Sequence, residues 1–228
     1  MSASYMSTLA YALIPSLGIL VGGALSIAGT PSLRMVSAFQ HFAAGVVFAA
    51  VAVELLPQLD SLASPVSMTI GFCLGVAAMF ATKAVFENAG IVVPVAIDLL
   101  IDGVLIAVGF AAGVKGGIVL LVGLSLETAS LGLSSAPTLV RSGMSRSRVI
   151  ILMAAGGVVV FLGAALGYAL VQLSGSFLAG VLGFGVASLL YLVTEELLTE
   201  AHEVPDTPLI ASTFFAGFLL PLIMAAME

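Results

Sequence analysis

The chain has 228 residues, 61% of them hydrophobic and only 8% charged, with a mean hydropathy of +1.27. Water-soluble domains carry roughly three times that charge fraction, so a soluble enzyme is excluded and nucleic acid is set aside as a partner. The formal charge of −6 comes from six Lys and Arg against twelve Asp and Glu, which makes acids the groups that need explaining.

Apolar runs of about 20 residues, each long enough to cross ~30 Å of hydrocarbon, follow one another along the chain. They predict an all-α, polytopic membrane protein with eight transmembrane helices in one domain spanning residues 1–228. The first helix is expected over residues 6–28. Its lead-in, "MSASYMSTLA", lacks the basic stretch of a signal peptide. After "AGTPSLR" the second is expected over 36–56, and after "PQLDSLASP" the third over 66–84. That third run holds the single cysteine, Cys73, expected to pack as a small hydrophobe. "FENAG" separates it from the fourth span, 91–112, and "GVKGG" precedes the fifth, 117–134. The Pro- and Arg-containing "SSAPTLVRSGMSRSR" leads to the sixth, 149–171. "QLSGS" then leads to the seventh, 177–194, and "TEAHEVPDTP" to the eighth, 208–227.

The basic residues orient this set. With the N-terminus outside, Arg34, Lys83, Arg141, Arg146 and Arg148 all fall on cytoplasmic connections, and only Lys115 falls outside. The positive-inside rule therefore predicts that both termini face away from the cytoplasm. The expected location is a prokaryotic plasma (inner) membrane. An internal echo is also present: "FAAGVVFAAVAVELLPQ" from Phe42 and "FGVASLLYLVTEELLTE" from Phe184 each reach Glu-Leu-Leu after the same spacing, at Glu54 and Glu196. The two stretches would run in opposite directions, as in an inverted repeat relating spans one to three with spans six to eight.

The fourth span, in "VVPVAIDLLIDGVLIAVG", carries Asp98 and Asp102 at i, i+4, on one helical face. The fifth carries Glu127 at similar depth, and Glu127, Ser130 and Ser134 form one polar stripe. Small residues at Gly123, Ala129 and Gly132 would let this helix approach the fourth closely. Each acid at mid-membrane costs roughly 2.5–3.5 kcal/mol on insertion scales, and three cost on the order of 8–10. Two facing polar stripes with oxygen-only ligands suit a hard or borderline divalent cation, or protons. Protonated, hydrogen-bonded acids that only fix packing are the competing reading. A second acidic group, Glu195, Glu196, Glu200, His202 and Glu203, closes the seventh span. It reads either as a solvated helix end or as an exit site for an ion. His41 reads as a satisfied interior histidine or a ligand, in either case outside the main site, and Glu54 as an interfacial group or an entrance group.

Several strings resemble the ZIP (Zrt/Irt-like) divalent-metal transporters. "FAAGVVFAAVAVELLPQ" is similar to that family's second span and "LLYLVTEELLTEAHE" to its seventh, where "VEELIPEAH"-like strings are frequent. The family's fourth span typically reads HNxPEG; "DLLIDG" places Asp98 at the histidine, Leu99 at the asparagine, Ile101 at the proline and Asp102 at the glutamate. Its fifth typically reads H-[NDE]-x-P-E; "LETAS" places Glu127 at the second ligand position and Ser130 at the last glutamate. Val160 stands where span six often has an acid. The resemblance implies a 3+2+3 inverted-repeat fold, a homodimer in the lipid bilayer, and a mid-membrane transport site stripped of its histidines. Asp98, Asp102 and Glu127 would be primary ligands, Ser130 a weaker one, and Glu196 and Glu200 part of the inner exit. The metal would be a transported substrate, with no prosthetic group. It also implies that spans one, four, five and six move against the rest. No P-loop is present, so direct ATP coupling within the chain is not expected, and the transporter reading implies that the chain is not an enzyme. Two alternatives stay open: a proton-coupled carrier of a small organic solute, and a non-transporting scaffold that keeps the fold.

Overall fold

The computed structural model describes residues 5–29, 31–86, 92–173, 175–205 and 207–226. The described residues form helices joined by short turns, without a strand. Eight helices are long and apolar enough to cross a membrane, and the protein is an all-helical integral membrane protein. In chain order they are α1 Tyr5–Ala28, α2 Leu33–Ser61, α3 Pro65–Phe86, α4 Val92–Ala112, α5 Val114–Arg141, α6 Arg146–Leu170, α7 Gly175–Ala201 and α8 Pro208–Ala226. The expected start of the fourth span at Ile91, the expected end of the eighth at Met227, and most of "FENAG" lie outside the described residues.

Three spans run further than expected, each for a local reason. The second continues past Leu56 because Val51–Leu55 forms a π turn, after which Pro57 falls in the first turn of a fresh α-helical segment. The Leu56 N–H still bonds within the helix, to the Val51 carbonyl, so the π turn shifts the ladder by one residue just before the proline. The seventh likewise passes through a π turn, Leu192–Leu197, before ending at Ala201. The fifth runs past Ser134, its expected end, carries Pro137 within the helix and stops only at Arg141. Ser32 and Ser145 cap α2 and α6, each hydroxyl accepting from the backbone N–H three residues on.

The helices pack as two groups. α1 lies along α5 and α6, α4 lies along α6 and α5, and these four make one bundle. α2 pairs with α8, α3 with α7, and α2 crosses α7, making a second. The groups meet mainly where α2 packs on α5, while α4 and α7 touch only lightly. Between them, lined by α3, α4, α6 and α7, lies an apolar groove of about 670 Å³.

Lipid tails are as apolar as leucine, so helices in a membrane associate through close packing of small residues rather than by escaping water. The crossings show this directly. A methyl on Gly103 of α4 would fall 2.1 Å from the Val160 carbonyl oxygen of α6, and one on Gly163 would fall 2.2 Å from that of Leu100. α1 and α5 interlock in the same way, with Gly22 on Ala129 and Gly132 on Ile19. Here an expectation is corrected. Ala129 and Gly132 admit α1, and Gly123 faces Val46 and Val47 of α2, so none of the three brings α5 to α4. Cys73 is also not packed inside. It is exposed on α3, a helix that buries only 17% of its apolar window and turns most of its surface outward.

Candidate metal centre

Close packing on one side of a helix decides what the other side presents. On α4, Leu100, Gly103, Val104 and Gly167's contact at Val104 lie against α6, and at 100° per residue Asp98 and Asp102 fall on the opposite face. On α5, Ser125, Thr128, Ala129 and Gly132 lie against α1. Thr128 donates to the Pro15 carbonyl at 3.1 Å and fastens that contact. The stripe of Glu127, Ser130 and Ser134 is thereby turned away from α1. Glycine packing on α6 and α1 thus aims the two acidic faces at each other.

The result is one compact group. Asp98, Asp102 and Glu127 each offer a carboxylate oxygen, and these three oxygens all lie within 4.8 Å of one another. The residues are 6%, 1% and 1% exposed. Asp98 Oδ2, Asp102 Oδ2, both oxygens of Glu127 and the Ser130 hydroxyl are buried without a geometrically defined hydrogen bond to protein, and the Asp102 and Glu127 side chains lie close enough to share one when a proton is held between them. The charged neighbours that act on these acids are other acids, each other and Glu196. Buried polar atoms normally find partners, and buried charges are normally paired or bind metal. Carboxylate oxygens buried and gathered in this way are suited to receiving a cation.

Of the remaining expected residues, Ser130 neighbours Glu127 on α5, and Glu196 and Glu200 lie on α7. Ser130 is buried beside Glu127 on the same stripe. Glu196, in the π turn of α7, is half-buried and outside the group of three. Glu200 is half-buried one turn further on, where it accepts a 2.7 Å hydrogen bond from Gln40 Nε2 of α2. Glu200 also lines a cleft of about 380 Å³ with Gln40, Ser134, Thr138, Arg141 and Glu203. The α5 stripe therefore runs continuously, at three- and four-residue steps, from Glu127 through Ser130 and Ser134 to Thr138 and Arg141 in that cleft.

Some features went unread in the sequence. His41 is interior, as expected, at 3% exposure, yet its ring meets that of His202 edge to face with centroids 5.0 Å apart. Nδ1 of His41 donates to the Ser37 carbonyl at 2.9 Å, and Nδ1 of His202 to the Leu198 carbonyl. Ser37 Oγ in turn donates to the Ala201 carbonyl at 2.8 Å. Together they tie the start of α2 to the end of α7. The spacing of Ser37, Gln40 and His41 in an otherwise apolar span was the available signal. Glu54 is half-buried, with its carboxylate and the Gln58 amide lying over Gly116 at the start of α5.

In comparisons with known proteins, no family model matches the chain and no curated protein matches it significantly.

Proposed function

We propose that the protein is a membrane transporter that moves a divalent metal cation through the Asp98–Asp102–Glu127 site by alternating access, with a ZIP-like arrangement of its helices. The observation that carries this reading is the convergence of three buried carboxylates, each offering an oxygen within 4.8 Å of the others. A purely packing role is met more simply by acids hydrogen-bonded to a neighbouring helix; here Asp102 and Glu127 can share one such bond, while Asp98 Oδ2 and the Ser130 hydroxyl are buried without a protein partner.

Three further observations support the architecture. Exchanging α1–α3 with α6–α8, and α4 with α5, maps the α1–α5 pairing onto α6–α4 and the α2–α8 pairing onto α7–α3. The two π turns fall at corresponding points of the echoed strings, ending at Leu55 and Leu197. The exchange fails at one place: α2 packs firmly on α5, but its counterpart contact between α7 and α4 is loose and opens into the apolar groove. An inverted repeat caught at one end of a transport cycle has that kind of asymmetry. With both termini outside, as the basic residues favour, Arg141 and the polar cleft face the cytoplasm, and Glu196 and Glu200 line the inner exit. Movement of α1, α4, α5 and α6 against the other four helices within a homodimer would alternate access, without chemistry on the substrate.

Cells expressing the wild-type chain, Asp98→Asn or Asp102→Asn would be compared for metal content by elemental mass spectrometry. A metal that accumulates with the wild type and with neither variant, at equal membrane expression, supports the reading. Uptake of an organic solute that persists in chelator would favour the proton-coupled carrier instead.

A further inference from the structure

We infer that the site takes one hard, oxygen-seeking divalent cation per chain, of the manganese or magnesium class, with the Ser130 hydroxyl as its fourth protein ligand. This rests on the metal-transport reading above and narrows it to an ion class and a ligand set.

The first argument is the donor set. The converging group is three carboxylates with neither histidine nor cysteine. The single cysteine is exposed on α3, and the two histidines face each other at the ends of α2 and α7. Imidazole and thiolate are the ligands by which proteins favour zinc and softer metals, whereas carboxylate and hydroxyl oxygens suit magnesium, calcium and manganese. Among the described residues, no second group of three or more His, Cys, Asp or Glu side chains converges, so a second ion has no comparable set of its own.

The second argument is Ser130. Buried hydroxyls in helices usually bond to a carbonyl one turn back, and its neighbours do: Ser125 donates to Leu121 at 2.6 Å and Ser135 to Leu131 at 2.5 Å. Ser130, at 1% exposure and one turn from Glu127, has no partner at all. Neither oxygen of Glu127 has a geometrically defined hydrogen bond to protein, which suits bidentate binding to a cation that takes six or more oxygens.

The third argument is size. An ion at the centre of three oxygens that lie no more than 4.8 Å apart sits at most about 2.8 Å from each. Bonds to calcium run 2.3–2.6 Å and to magnesium about 2.0–2.1 Å, so an inward shift of less than about 1 Å completes the site for this class.

The test is displacement of manganese from the purified full-length protein, read by the paramagnetic resonance of free aqueous Mn²⁺. Variants are Ser130→Ala, Ser130→Cys and Asp102→Asn, each checked for folding by thermal melting. We expect one Mn²⁺ per chain, competition by Mg²⁺ or Ca²⁺, and loss of binding in Asp102→Asn. Zn²⁺ and Cd²⁺ should outcompete Mn²⁺ by no more than about tenfold, the modest spread expected of oxygen-only ligands. Ser130→Ala should weaken Mn²⁺ severalfold, and Ser130→Cys should make displacement by Cd²⁺ at least about tenfold easier, because a thiolate prefers the softer ion. Two ions per chain, a stronger Zn²⁺ or Cd²⁺ preference in the wild type, or an unchanged Cd²⁺ response in Ser130→Cys would overturn this inference and leave metal transport standing. Failure of every ion to bind would overturn both.

Discussion

Replacing Gly103 by alanine tests whether α6 is what aims the acids of α4. The added methyl would sit 2.1 Å from the Val160 carbonyl oxygen and 2.7 Å from the Ala164 nitrogen. Both are backbone atoms, so no side chain can rotate out of the way, and the two helices must part by about 1 Å to restore an ordinary contact. Overpacking of this kind costs about 1–3 kcal/mol. For a chain of this size that corresponds to a melting temperature about 2–12 °C lower, at 2–4 °C per kcal/mol. The direction of the yielding also follows from the structure. α4 is backed by α5 at the acidic face, whereas α6 turns Ile151, Val158, Leu162 and Leu166 outward, so α6 moves and the carboxylates stay together. The assay is thermal melting of the detergent-solubilised protein beside Gly29→Ala, where an added methyl meets nothing within 4 Å. A Gly103→Ala melting point equal to that control would refute the packing argument. A lower one accompanied by loss of metal binding would refute the claim that α6 yields and α4 does not.

Other predictions concern the groove, the site and the α1–α5 seam. Val181→Trp, which fills the groove between α4 and α7, should leave melting nearly unchanged and abolish uptake; unimpaired uptake would mean that the groove need not close. Saturating Mn²⁺ at about 100 times its dissociation constant should stabilise the wild type by about 2.7 kcal/mol through mass action, seen as a rise in melting temperature, and should leave Glu127→Gln unmoved. Thr128→Val, which removes the hydrogen bond to Pro15, should cost about 0.5–1.5 kcal/mol without altering the stoichiometry of metal binding; a changed stoichiometry would mean that Thr128 does more than fasten α1.

The spans, their order and the three converging acids were legible in the sequence because each depends on a local pattern: hydrophobic length, or i, i+4 spacing at matching depth. Where the pattern was interrupted, the reading stopped short. The expected ends at Leu56 and Ser134 fell shortly before prolines, but the helix passes through a π turn to Pro57 and carries Pro137 within its continuing turns. Glycines showed that helices approach closely but not which helix approaches which, so Ala129 and Gly132 were assigned to α4 when they serve α1. The His41–His202 contact joins residues 161 positions apart, and nothing local encodes such a pairing.

Uptake of radioactive Mn²⁺ into proteoliposomes tests the central claim most directly, with wild type beside Asp98→Asn and Asp102→Asn at matched reconstitution. The account predicts saturable uptake by the wild type, abolished by either variant and by external chelator. Wild-type vesicles that take up no more Mn²⁺, Mg²⁺, Fe²⁺, Zn²⁺ or Cd²⁺ than protein-free ones, or variants that transport as well as the wild type, would contradict it.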